Sequence, residues 1–236
     1  MRALATLFFV CFTLSSSPQV FSQELDYTKW KNDIKKFAGD IAKFEKESAT
    51  LPNRDDWLLV TGSSSIRLWK TVQDDLPEYP VLHRGYGGAR FSDLAHYMKR
   101  IMSNHQLQGV VVFVANDITG SKNHDKTPEL TMEYVESILS DINSHSGNIP
   151  VFFIAVTPTN KRWDSWKTVQ QFNTLLEKRC QSQENLYYIP TADLYQLADG
   201  TPNDALFLED KLHLNSDGYA LWAARIRGIL APVLNR

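Results

Sequence analysis

Cysteine is nearly absent from this chain of 236 residues, with Cys11 and Cys180 the only two. Cys11 falls in a stretch that reads as a removable leader, which leaves Cys180 with no intramolecular partner. That excludes a disulfide framework and places the burden of stability on a packed core. Charge is balanced as well, 25 Lys and Arg against 27 Asp and Glu, for a net charge of -2 and a pI near 6.3. A protein held to phosphate backbones would carry a basic excess, so nucleic acid is not an expected partner. Long apolar runs are also missing. The run from Ala3 to Leu14 spans about a dozen residues, short of the roughly 20 that a membrane-crossing helix needs. With Arg2 before it and Val20-Phe21-Ser22 after it, the run reads as a signal peptide over residues 1–22, cleaved before Gln23. The expectation is an exported protein, periplasmic or secreted, with no stable membrane anchor. The residues before Cys11, Phe8-Phe9-Val10, lack the small residue that lipid-modification signals place there. His83, His96, His105, His124 and His145 are scattered without ligand spacing, so no metal site is expected.

What the chain does have is 43% hydrophobic residues over a length suited to one domain, expected to span 23–236. No internal repeat, low-complexity tract or long linker interrupts it. Tyr27, Trp30, Ile34, Phe37, Ile41 and Phe44 recur every three or four residues and predict an amphipathic helix over about 25–48 that packs on the domain. Strand-like runs follow at Trp57 to Thr61, Tyr79 to Leu82, Val110 to Ala115, Pro150 to Val156 and Leu186 to Ile189. Between them Phe91 to Met102 and Leu130 to Asn143 carry helical spacing, with Pro128 behind Thr127 as a first-turn proline. This alternation predicts an α/β fold, a three-layer αβα sandwich whose flavodoxin-like five-stranded parallel sheet has helices on both faces. Ligands are then expected beyond the carboxyl ends of the strands.

Candidate chemistry falls at those ends. Gly62-Ser63-Ser64-Ser65 follows the first strand, and Asp210-Lys211-Leu212-His213 precedes the C-terminal helix. A serine hydroxyl is a poor nucleophile until an imidazole takes its proton and a carboxylate fixes that imidazole, and Ser64, His213 and Asp210 supply the three parts. Arg84-Gly85-Tyr86-Gly87-Gly88 follows the second run and lets backbone N–H groups approach an anion, or serves only as a turn. Asn116-Asp117 ends the third run, where Asn116 can donate to an oxyanion or form an Asx-type turn. Arg162 and Trp163, in the aromatic loop after the fourth run, are candidate substrate contacts or loop anchors.

Taken in order, these blocks resemble the SGNH (GDSL-type) hydrolase superfamily, whose motifs contribute Ser, Gly, Asn and His. The resemblance runs from about Trp57 to the C-terminus. It implies Ser64 as nucleophile, His213 as base oriented by Asp210, and an oxyanion hole formed by the Ser64 N–H, Gly88 and Asn116, with Gly85 and Gly87 as alternatives to Gly88. The chain departs from the pattern in two places: Gly62-Ser63-Ser64 stands for the usual Gly-Asp-Ser, and Val114-Ala115 precedes Asn116 without the usual glycine. The run of three serines leaves the nucleophile open by one position. The small lysophospholipase- and acetylhydrolase-like members are the most similar, implying a serine esterase that acts on a short acyl ester of a carbohydrate or lipid. The chemistry requires no cofactor. A catalytically silent binding protein on the same fold is the alternative. A phosphate- or flavin-binding protein is disfavoured, because Gly62-Ser63-Ser64-Ser65 lacks a Gly-Lys-Ser/Thr ending.

Overall fold

In a computed structural model, the structure describes Leu25 and residues 27–235. The leader read from residues 1–22 lies outside them. In chain order the elements are α1 (Lys31–Lys35), α2 (Ala38–Ser48), β1 (Trp57–Gly62), α3 (Ser64–Leu68), α4 (Val72–Asp75), β2 (Val81–Gly85), α5 (Phe91–Met102) and β3 (Leu107–Phe113). The second half contributes α6 (Pro128–Ser146), β4 (Val151–Ile154), α7 (Trp166–Gln181), β5 (Leu186–Ile189), α8 (Ala192–Tyr195) and α9 (Ser216–Leu234). The five strands form one parallel sheet in the order β2-β1-β3-β4-β5.

The period-2 geometry of the strands explains the layers. Leu59 on β1, Val110 and Val112 on β3, and Val151 and Phe153 on β4 point to one face, where α5, α6 and α7 cover them. Their neighbours Leu58, Val60, Val111, Phe113, Phe152 and Ile154 point to the other, against α3, α4 and α9. A sheet buried on both faces reads as continuous apolar runs, which is why β1 and β3 stand out in the sequence. Cys180 is buried on α7, and burial pushes its thiol up to about 12.

The N-terminal segment differs from the single helix expected over about 25–48. A 3-10 turn (Thr28–Trp30), α1 and α2 are separate, broken at Lys36 and Phe37. Both residues at the break keep right-handed helical torsions, so the apolar spacing continues across it and Ile34, Phe37, Ile41 and Phe44 are all buried. Phe37 packs edge-on against Tyr86 of the glycine-rich loop, with 5.0 Å between ring centroids. Asp33 pairs with Arg90 at 2.8 Å, and Arg84 reaches Glu47 and Ser48. This segment therefore buttresses the loop that follows β2.

Beneath the segment lies a buried charged cluster. Lys126 pairs with Asp117 at 3.0 Å and stands 4.1 Å from the Trp30 ring centroid, while the Phe91 N–H donates to Asp117 at the start of α5. Asp93, also buried, accepts from the Arg90 N–H at 2.8 Å. Burial pushes its carboxyl up to about 6, reinforced by the Asp117 charge and opposed by the Arg90 N–H and the Lys126 and Arg90 charges. An unfolded aspartate titrates near 3.9, so between about pH 4 and 6 the folded chain binds more protons than the unfolded one. Stability from this group accordingly declines as pH rises through that window, by roughly 3 kcal/mol in all. Asp93→Asn is expected to remove this decline. Urea unfolding of both proteins at pH 4 and pH 7 checks it, and equal pH responses would sink the assignment.

Candidate active site

The strand order reverses direction between β1 and β3, and a crevice opens there beyond their carboxyl ends. Gly62 closes β1 with φ of 138°, and a Cβ at that position would lie 1.8 Å from the Phe113 carbonyl oxygen on β3. Only glycine permits this approach, which allows the Ser63 N–H to bond the Phe113 carbonyl at 2.9 Å and turns the chain into α3. Gly85, at the end of β2, is equally confined: its Cβ would stand 2.3 Å from the Arg67 backbone nitrogen. The Tyr219 hydroxyl donates to the Ser65 carbonyl at 2.7 Å, tying α3 to α9.

Of the three serines, Ser64 is the one whose Oγ meets the histidine, 2.9 Å from His213 Nε2. Ser63 is buried at the N-cap position of α3, where its side chain makes no capping hydrogen bond. His213 sits in a loop braced before α9, where Asn215 caps the helix by accepting from the Gly218 N–H at 3.0 Å and the Leu208 N–H donates to the His213 carbonyl at 2.7 Å. Lys211 takes a positive φ of 53° in the turn between Asp210 and His213. That turn lets the Asp210 carboxylate fold back on its own loop: Oδ1 accepts from the Leu212 and His213 N–H groups at 3.0 Å each, and Oδ2 stands 2.6 Å from His213 Nδ1. Burial alone would raise the Asp210 carboxyl, but the His213 N–H, the His213 ring and the Leu212 N–H outweigh it and hold it below its ordinary value. An ionised carboxylate only accepts, so Nδ1 carries the proton and Nε2 is left to accept from Ser64.

Asn116 lies past the end of β3 on the wall of the same crevice. Its Nδ2 donates to the Ala89 carbonyl at 2.8 Å, and its Oδ1 accepts from Arg162 Nη2 at 2.6 Å. Gly88 adopts a positive φ of 81° and is joined to this amide through the carbonyl of its neighbour Ala89, without lining the crevice itself. Arg162 does line it, while its guanidinium points at the protein: Nη1 also donates to the Ala115 carbonyl. Trp163, read from the sequence as a substrate contact or a loop anchor, stacks on Trp166 with 6.1 Å between ring centroids and packs against the core, as the anchor reading has it. Trp166 is the tryptophan of that loop that lines the crevice.

Two features of the site escaped sequence reading. Trp166, Val156 and Phe207 form much of the apolar wall beside Ser64 and His213. Asn173, buried on α7, brackets Val156 with paired hydrogen bonds to its N–H and carbonyl, both 3.0 Å, and so fixes that wall. The crevice encloses about 30 Å³. Among the described residues no group of acidic, histidine or cysteine side chains has the arrangement of a metal site, and no helix is long and apolar enough to cross a membrane.

A doubly wound parallel sheet with a serine, histidine and aspartate joined at its switch point defines the class as a carboxylic ester hydrolase. The chain belongs to the GDSL-like lipase/acylhydrolase family, whose model matches residues 59–221. Solved structures share the fold at low identity. A GDSL-like lipase from Bacteroides thetaiotaomicron is 16% identical with a TM-score of 0.71, the match covering 82% of this chain and 98% of that one. A carbohydrate esterase family 3 protein from Talaromyces cellulolyticus is 15% identical with a TM-score of 0.61, covering 76% and 98%. A mutant acetyl-xylooligosaccharide esterase from Geobacillus Stearmophilus is 13% identical with a TM-score of 0.62, covering 75% and 94%. No curated protein matches the chain. The N-terminal segment that buttresses the glycine-rich loop lies outside the family match.

Proposed function

We propose that the protein is an exported serine esterase that hydrolyses short-chain acyl esters, acetylated carbohydrates or lysophospholipid-like lipids, through an acyl intermediate on Ser64. The observation that carries this reading is the unbroken chain from Asp210 through His213 to Ser64 Oγ, at 2.6 and 2.9 Å, opening on a small crevice. In the proposed cycle His213 Nε2 takes the Ser64 proton as Oγ attacks the ester carbonyl. The tetrahedral oxyanion is met by the Ser64 N–H, the Asn116 amide and a glycine N–H of the Gly85–Gly88 loop, for which Gly88 is the first candidate. The alcohol leaves with the proton from His213, and a water activated by the same imidazole releases the acid.

Size supports the short acyl chain. One water needs roughly 10–15 Å³, so the crevice of about 30 Å³ has room for about two, the size of a two-carbon acyl group beside Phe113, Trp166 and Phe207. The carbohydrate esterase and the acetyl-xylooligosaccharide esterase on the same fold support a carbohydrate alcohol. The leader supports export. On p-nitrophenyl esters, kcat/KM is expected to fall at least tenfold from acetate to octanoate, and a fluorophosphonate probe is expected to modify the Ser64 peptide in a mass spectrum. A flat or rising chain-length profile would remove the short-chain reading, and modification elsewhere would remove the nucleophile.

A further inference from the structure

Arg162 is the one guanidinium lining the catalytic crevice, and the sequence offered it as a substrate contact. Its partners point elsewhere. Nη2 donates to Asn116 Oδ1 at 2.6 Å and Nη1 donates to the Ala115 carbonyl, so the planar fork grips two successive residues of the β3 exit loop. Arg162 lies 46 residues beyond Asn116, in the kinked 3-10 turn Asn160–Ser165 that follows β4. Among the described residues no carboxylate pairs with it, whereas Arg84, Arg90, Arg100, Arg179 and Arg225 all have one. Neither the amide oxygen nor the carbonyl that accepts from it carries a formal charge to offset the guanidinium, whose pKa burial lowers from its ordinary value.

Resting on the serine-esterase reading, we propose that Arg162 is a positioning residue for the oxyanion hole, acting through Asn116. An asparagine amide rotates easily and presents either oxygen or nitrogen to a neighbour. Here the choice is forced from both ends: Arg162 is a pure donor and needs Oδ1, while the Ala89 carbonyl is a pure acceptor and needs Nδ2. Only one of the two Nδ2 hydrogens is used by Ala89, and the other stays free for the oxyanion. A cation on Oδ1 also draws electron density along the amide and makes that free N–H a stronger donor. Preorganisation of this kind acts on the transition state more than on the bound ester, so it belongs in kcat. The missing glycine before Asn116 fits the same account, because the Ala115 carbonyl is held from outside the loop.

The test is a double-mutant cycle on p-nitrophenyl acetate, with Ser64→Ala as the control for the reading itself. Asn116→Ala is expected to lower kcat about 100- to 1000-fold. Arg162→Gln alone is expected to lower kcat roughly 10- to 100-fold with KM changed less than about threefold, and Arg162→Lys to lose a similar factor because a single ammonium cannot hold both acceptors. In the Asn116→Ala background Arg162→Gln should cost less than about twofold more. Effects that multiply would overturn the proposal, as would a KM effect with kcat unchanged, which would mark a substrate contact. If Arg162→Gln does not fold, the Lys variant carries the same cycle. Turnover that survives Ser64→Ala would instead overturn the serine-esterase reading, an outcome distinct from an additive cycle.

Discussion

Ser64→Ala is expected to lower kcat on p-nitrophenyl acetate by on the order of 10⁵- to 10⁶-fold, to the level that the oxyanion donors and binding alone sustain. The substitution deletes one oxygen whose hydrogen bond in the structure is to His213 Nε2. The turn around it is held by other groups: Gly62 against β3, the Ser63 N–H on Phe113, and the Tyr219 hydroxyl on Ser65. Folding should therefore survive, with a melting temperature within a few degrees of the parent protein. Steady-state kinetics beside a melting curve provide the check. An alanine variant within tenfold of the parent would mean that another group performs the attack.

Asp210→Asn is expected to cost about 10³- to 10⁴-fold in kcat with little loss of stability. The amide oxygen can still accept the Leu212 and His213 N–H groups that now bond Oδ1, so the turn is preserved. At the other position an NH2 replaces the oxygen that faces His213 Nδ1. A donor there forces the imidazole proton onto Nε2, and Nε2 can no longer accept from Ser64. Asp210→Ala would remove the loop contacts as well, so only the asparagine variant isolates the tautomer. Retention of more than a tenth of the parent kcat would show that the loop alone orients His213.

The parts of the fold legible in the sequence are those where one apolar period survives burial. Phe91–Met102 and Leu186–Ile189 match their expected bounds, and β1 differs by a single glycine. β2 was expected at Tyr79 to Leu82 and lies at Val81–Gly85, because an edge strand can include His83 and Arg84 once tertiary partners satisfy them. His83 bonds the Ile66 carbonyl and Arg84 finds Glu47, contacts that no spacing announces. The N-terminal break escaped for the opposite reason, since helical torsions at the turn conserve the apolar rhythm. At the site the groups near one another in sequence, Asp210 and His213, were legible, as was the serine block after β1. Which serine meets the imidazole was a matter of geometry. Arg162 and Asn173 work through partners 17 or more residues away, and their types alone carry no signal of it.

The lone described thiol has a practical bearing beyond folding. Cys180 is shielded inside α7, and with its proton held up to about 12 it offers almost no thiolate at neutral pH. The described portion of the chain can thus pass between reducing and oxidising surroundings without a change in its covalent connectivity. Among the described residues, a cysteine placed on the surface, beside the crevice for example, would be the one thiol that a maleimide dye reaches, giving a reporter of ester binding without first replacing Cys180.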